Sequence, residues 1–317
     1  MKRRIHSFLV ETKYRNRKLG GLFMDYILRP IYQERASQPE TLGIILVNKK
    51  EGYTYLTDTF DTVLLAIVKE GDQPIYTKHY CYDHQKVIMH VITEELLNKW
   101  LYIGKKRRVI EWVFRGKVIF ERNDYIRNFK EKLDDFSFFG RKIKVGVQFA
   151  KLIRSYLEGK ECYQRGDYLD SYKLVVKSLQ YLARISIIES GLYPELTVWS
   201  QVKKLQPSIY KLYEELITST ETIEKRLELL FLAMDFSLSS NTKNWAQHII
   251  ETMQTKELWT IQELHNHHDL KYYSVDLELL IEYLIEKGYI ITPSINEQLD
   301  VIQPRLYKVN IDTVKKH

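Results

Sequence analysis

The sequence predicts an α+β fold in three successive parts, and three observations carry that prediction. Apolar runs of about five residues, bounded by polar turn residues, recur through the first part of the chain. Such runs, rich in β-branched and aliphatic side chains, mark buried strands. From residue 138 onward the apolar period lengthens to i, i+3, i+4 over long stretches, the pattern of packed helices. The last segment returns to short elements, three helical stretches followed by two β-prone stretches around Pro293. The expected divisions are a mixed-sheet domain over 1–137, a helical bundle over 138–240 and a three-helix-and-hairpin module over 241–317.

Taken in order, residues 19–35 space Leu22, Phe23, Tyr26 and Ile27 along one helical face, with Pro30 expected to kink or end the helix. Two strands follow, Gly43–Val47 and Val63–Val68, joined by a polar link holding Asn48, Lys49, Lys50, Asp58 and Asp61. Lys86–Ile92 is the next expected strand. Thr93 is placed to cap a helix whose first turn carries Glu94 and Glu95, favourable beside the positive helix terminus. Lys105–Arg108 opens a further helix that Gly116 ends, Lys117–Glu121 is a strand, and a break at Asn123–Asp124 precedes a helix towards Asp135.

The bundle is expected to hold helices over Phe138–Tyr163, from an Asp167 cap to Gly191, over Ile209–Thr218 and over Glu221–Phe236. Thr242–Met253 begins the last module. Thr260 and Glu263 form a capping box for Ile261–His267, Ser274 is placed to cap Val275–Lys287, and Tyr289–Thr292 with Arg305–Asn310 supply a ribbon. Three helices and a hairpin make a winged helix–turn–helix.

Composition limits the function classes. The chain holds no run of ~18 apolar residues, so no membrane span is expected, and its start lacks the features of a cleaved leader. Two cysteines far apart imply neither a disulfide framework nor a zinc motif, and a cytoplasmic protein is expected. Residues 1–140 carry 25 Lys+Arg against 18 Asp+Glu, whereas 241–317 carry 8 against 11. The basic front half suits a phosphate-bearing ligand or simply a solvated surface.

A strand ending in a polar turn, then a second strand opened by a carboxylate, resembles the nucleotidyltransferase superfamily, the fold of kanamycin nucleotidyltransferase and DNA polymerase beta. More closely, the whole chain resembles a bacterial nucleotidyltransferase-like family built from a degenerate transferase domain, a helical domain and a C-terminal winged helix. In the superfamily a Gly-Ser pair approaches a phosphate, and Asp-x-Asp presents two carboxylates on one strand face. With a third carboxylate from a neighbouring strand they hold two magnesium ions. This chain has Asn48-Lys49 in place of Gly-Ser, and Asp61-Thr62-Val63 in place of Asp-x-Asp. The strand expected to carry the third carboxylate, KVIMHVI, offers only His90 beyond Lys86.

The resemblance therefore implies a nucleotide- or partner-binding module without efficient transferase catalysis. Asp61 is the residual catalytic position, Asn48, Lys49 and Lys50 are the phosphate-binding candidates, and no metal set is expected. Magnesium belongs here only if the site is active. Asp61 has a second open role, as acceptor for nearby backbone amides. The alternatives are an active transferase drawing carboxylates from Asp58, Glu111 or Glu121, and a DNA-binding regulator using the winged helix.

The last expected helix carries Asp276, Glu278, Glu282 and Glu286 against one lysine. Acids there repel DNA phosphates, so DNA binding is disfavoured and a protein partner or structural role favoured. His265–His268 has neither zinc-finger nor His-Glu-x-x-His spacing and is expected to be a polar helix end.

Overall fold

In the computed structural model, residues 28–49, 56–82, 84–103, 106–134, 138–293 and 305–316 are described. They fall into two compact units, one of Met1–Leu101 with Lys106–Glu131, the other of Lys132–His317 with Tyr102–Lys105.

The first unit is built on a five-stranded sheet. Helix α1 covers 28–37 among the described residues and includes Pro30, which does not end it. There follow β1 (Thr41–Asn48), β2 (Thr62–Val68), β3 (Ile75–Tyr82), β4 (Gln85–Thr93), α2 (Glu94–Ile103), α3 (Arg107–Arg115), β5 (Lys117–Glu121) and α4 (Tyr125–Asp134). The strand order is β3-β4-β2-β1-β5. All neighbours are antiparallel except β2 and β4, which run parallel, so the sheet is mixed as expected.

Alternation along the strands gives each face its own lining. Ile44, Leu46, Leu64, Ala66, Val87 and Met89 form one cluster with Leu28, against which Ile31 and Tyr32 of α1 pack. Ile45, Val47, Val63, Leu65 and Ile88, at the alternate positions, are also buried. On that second face Gly116 is needed for close approach, because a Cβ there would lie 2.2 Å from Ile45 Cγ2. Thr93 caps α2 as predicted, its Oγ1 accepting from the Leu96 N–H at 3.3 Å.

Strand β3 is an addition to the predicted set. It is exposed along almost its whole length, so it shows none of the in-out alternation that marks a half-buried strand. It sits at the sheet edge, paired with β4 alone.

The second unit contains α5 (Phe138–Gln164), α6 (Tyr168–Glu189), α7 (Val198–Leu205), α8 (Pro207–Thr218), α9 (Ile223–Trp245), α10 (Gln247–Met253), α11 (Ile261–Asn266), α12 (Leu277–Glu286) and α13 (Ile311–Lys316). A two-residue ribbon pairs β6 (Ile290–Ile291) with β7 (Lys308–Val309). A bridge between Trp259 and Tyr307 adds a third short edge to the wing. One hydrophobic cluster joins Phe149 and Leu152 of α5 to Leu277, Leu280 and Leu284 of α12. No helix among the described residues is long and apolar enough to cross a membrane.

Several predicted boundaries move for identifiable reasons. Asp167 precedes α6 without capping it, because its carboxylate accepts from Arg165 Nε at 3.2 Å. Helix α9 runs through to Trp245, so Thr242 lies inside it rather than opening α10. Ser274 takes φ of 55° and starts a single 3-10 turn, leaving Asp276 at the N-cap of α12. The capping box at Thr260 and Glu263 forms in full.

Candidate functional site

The residues singled out from the sequence cluster where β1 ends and β2 and β4 begin. Asn48 closes β1, and its Oδ1 accepts from the Thr62 hydroxyl at 3.0 Å. Lys49 is exposed, while its backbone N–H donates to the Asp61 carbonyl at 2.8 Å. Lys50 lies outside the described residues. Asp61 stands one residue before β2 and extends the parallel pairing with β4. Its N–H donates to the Lys86 carbonyl at 2.8 Å, and its Oδ2 accepts from the Lys86 N–H at 2.9 Å. The carboxylate Oδ2 thus serves as a backbone acceptor.

Val63 stands two residues beyond Asp61, inside β2. It is 1% exposed and in register with Val47 on β1 and Ile88 on β4. An unpaired carboxylate is expensive in such surroundings, whereas valine fills them. Lys86, opposite Asp61, brings a cation to the neighbouring strand.

The strand β4 histidine has a settled environment. His90 Nδ1 and the Thr77 hydroxyl lie 2.9 Å apart, and the imidazole stacks on Trp112 with centroids 5.4 Å apart. Trp112 is itself anchored by its indole N–H, which donates to the Leu56 carbonyl at 2.6 Å. Burial lowers the His90 pKa, and the nearby His79 and Lys106 lower it further. Those two contributions place positive charge near His90.

The other carboxylates named from the sequence, Asp58, Glu111 and Glu121, each have a partner of their own. Asp58, in a left-handed turn with φ of 51°, pairs with Arg108. Glu111 is buried on α3 with Oε2 3.7 Å from Arg115 Nε. Glu121 Oε2 accepts from the Arg127 N–H at 3.1 Å near the start of α4. Among the described residues, the one group of three or more His, Cys, Asp or Glu with ligand atoms inside 4.8 Å is His267, His268 and Asp269, in the second unit. There His267 Nδ1 accepts from the Asp269 N–H at 3.3 Å, and His268 Nε2 lies 3.2 Å from Asp269 Oδ2.

A two-magnesium centre asks for at least two converging carboxylates. The described residues around Asp61 supply one, already engaged, beside lysines, and do not fit such a centre. What the arrangement offers chemically is a set of cations around a sheet end, suited to an anion. Lys106 and His79 were not singled out from sequence: Lys106 is the N-cap residue of α3, and His79 comes beside Phe60 by an edge-on ring contact with centroids 5.1 Å apart.

The acids of α12 are largely engaged within the unit. Arg154 Nε donates to Asp276 Oδ1 at 2.5 Å, and Arg305 grips Glu282 through two bonds of 2.6 and 3.1 Å. His265 Nε2 lies 3.0 Å from Glu278 Oε1. Asp276, expected to face outward, is buried. The opposite face of α12 packs on α5, where Tyr283 meets Phe149 edge-on at 6.0 Å.

Three family models match successive stretches of the chain. A family model described as nucleotidyltransferase-like matches residues 24–141, one described as a YgxA-like substrate binding domain matches 142–241, and one described as a helix-turn-helix domain matches 247–309. The uncharacterized protein YgxA of Bacillus subtilis (strain 168) is 47% identical over 267 residues, 84% of this chain and 91% of that protein. The crystal structure of a nucleotidyltransferase-like protein from Exiguobacterium sibiricum 255-15 is similar with a TM-score of 0.78 and 36% identity. That match covers 90% of this chain and 99% of the other.

Proposed function

The chain belongs to the YgxA family of nucleotidyltransferase-like proteins, and from that premise we propose that it uses the transferase fold as a nucleotide- or partner-binding module without efficient transferase catalysis. The observation that carries this reading is Val63, sealed in the sheet core at the position of the second metal-binding carboxylate. Asp61, the remaining carboxylate, is occupied by the Lys86 backbone N–H. A degenerate site of this kind leaves phosphate recognition to Lys49, Lys86 and Lys106, with Asn48 and Thr62 tying the two strand ends together. The bound species is then a nucleotide held by direct contact with cations rather than through magnesium.

The C-terminal module has a structural or protein-docking role in this reading. Its last long helix would meet DNA with acids that already hold Arg154, Arg305 and His265, and those pairs would have to break. Phosphate neutralisation supplies most ordinary DNA affinity, and an acidic face works against it.

The test is thermal unfolding of the full chain with ATP, with and without magnesium, in the wild type, Asp61→Ala and Lys49→Ala. A nucleotide at a hundredfold excess over its Kd stabilises the folded state by ~2.7 kcal/mol. The expected stabilisation persists on chelation, persists in Asp61→Ala and shrinks in Lys49→Ala. A magnesium-dependent stabilisation that disappears in Asp61→Ala would mean a working metal site and would sink the proposal.

A further inference from the structure

Helix α9 has two faces of opposite fate. Leu227, Leu230, Phe231, Met234 and Leu238 are buried in the bundle core. On the other side Leu229 is 57% exposed, Leu232 61% and Phe236 75%. Three large apolar side chains in a row on one helix are far more exposed surface than scattered single residues would explain.

Their spacing is regular. Lys225, Leu229, Leu232, Phe236, Ser239 and Lys243 succeed one another by 4, 3, 4, 3 and 4 residues. That alternation is the a/d seam of a coiled coil, which puts all six on one stripe facing a second helix. The stripe is apolar at its centre and ends in a lysine on each side.

From this we propose that the α9 stripe is the docking surface for a second copy of this chain, with the two α9 helices packed antiparallel about a two-fold axis near Leu232. The charges select that partner and that direction. In a parallel pair Lys225 would face Lys225 and Lys243 would face Lys243, which is repulsive. In the antiparallel pair Leu229 of each copy meets Phe236 of the other, and Lys225 comes against the small Ser239 and Ser240. Lys243 then approaches Glu224 and Glu221 at the start of the opposite helix, Glu221 being the acid that pairs with Lys225 of its own chain at 3.3 Å, so the two acids there balance the two cations. An isologous interface of this kind is self-complementary by construction.

The size of the contact sets its strength. A helix of this length spans ~35 Å at 1.5 Å per residue. A strip that long and one helix face wide falls short of the ~800 Å² per partner of a standard interface. The dimer is accordingly weak, forming in the micromolar range and exchanging readily.

The experiment is sedimentation velocity of the full chain from about 1 to 100 μM, run on the wild type, Leu232→Asp, Phe236→Asp and the control Val275→Asp. Val275 is 75% exposed and lies outside α9, so its variant tests whether any surface acid suffices. The expected result is a reversible monomer–dimer equilibrium in the wild type and control, with association weakened at least tenfold in both α9 variants at unchanged circular dichroism. Lys243→Glu should weaken the dimer, and adding Glu221→Lys and Glu224→Lys should restore it. A chain that stays monomeric at 100 μM overturns the proposal, as does a dimer that survives both α9 variants. Loss of association in Lys243→Glu without recovery in the charge swap would overturn the antiparallel arrangement.

Discussion

Replacing Gly146 by alanine reverses the usual sign of a glycine-to-alanine change in a helix. Ordinarily alanine favours a helix interior by ~1 kcal/mol over glycine. Gly146 lies inside α5, but a Cβ there would sit 2.1 Å from the Tyr273 hydroxyl oxygen and 3.0 Å from Tyr273 Cζ. The contact involves the tip of a side chain, which often can swing away. Tyr273 cannot, because it is 1% exposed and its hydroxyl lies 2.9 Å from His248 Nδ1, with the two rings stacked 5.8 Å apart. Overpacking a core of this density costs 1–3 kcal/mol, so roughly 2 here. Pulling the hydroxyl from the histidine inside the core costs about as much again. Against the propensity gain, the net is a loss of roughly 3 kcal/mol, or about 10 °C in the transition of a unit this large. Calorimetry or urea unfolding reads it directly. Tyr273→Phe removes the clashing oxygen, so Gly146→Ala with Tyr273→Phe should be at least ~1 kcal/mol less destabilised than the sum of the single changes. A more stable Gly146→Ala protein, or strictly additive singles, would refute the reasoning.

Three further outcomes are expected. Burial holds the His248 imidazole near pKa 4, below its ordinary 6.5. The unfolded chain therefore binds the extra proton first: the contribution is fully present above pH 6.5 and is lost as pH falls towards 4, by ~3 kcal/mol in all. Chemical denaturation between pH 7 and 4 should show that slope, and His248→Gln should flatten it. Val63→Asp, which rewrites Asp-x-Asp in sequence, should destabilise the first unit by at least ~3 kcal/mol and leave ATP stabilisation indifferent to magnesium; gained magnesium dependence would contradict it. Thr260→Ala removes the hydroxyl that accepts from the Glu263 N–H at 3.3 Å and should cost ~1 kcal/mol in urea unfolding; no change would mean that the box contributes nothing.

How much of this was legible in the sequence differs from element to element. β1, β2 and β4 could be read because each buries a continuous aliphatic run, and β5 because Gly116 marks its start. β3 could not, since an exposed edge strand has no buried face to write a pattern. Its surviving signal is a local excess of tyrosine, a good strand former. The end of α9 misled for a different reason. Ser237 to Thr242 looks like a break, yet the hydroxyls of Ser240 and Thr242 bond back to the carbonyls of Phe236 and Leu238 and leave the helix intact. Asp61 was singled out from sequence as a candidate ligand, but the partner its Oδ2 takes is the Lys86 backbone N–H on the neighbouring strand, 25 residues away in sequence. Such a contact is a product of register, which composition does not encode.

The shared core of α5 and α12 has a consequence for how the molecule breathes. A module whose helix α12 packs through Leu277, Leu280, Tyr283 and Leu284 into the same core as Phe149 and Leu152 cannot open without baring the centre of the bundle. Amide protons of α12 should then exchange with the same free energy as those of α5, as one cooperative foldon, while the exposed β3 edge exchanges through shallow local openings. A chain truncated before α10 would lose more than an appendage. It would leave the apolar side of α5 facing water, and a quality-control protease would find the remainder before any loss of binding could be felt.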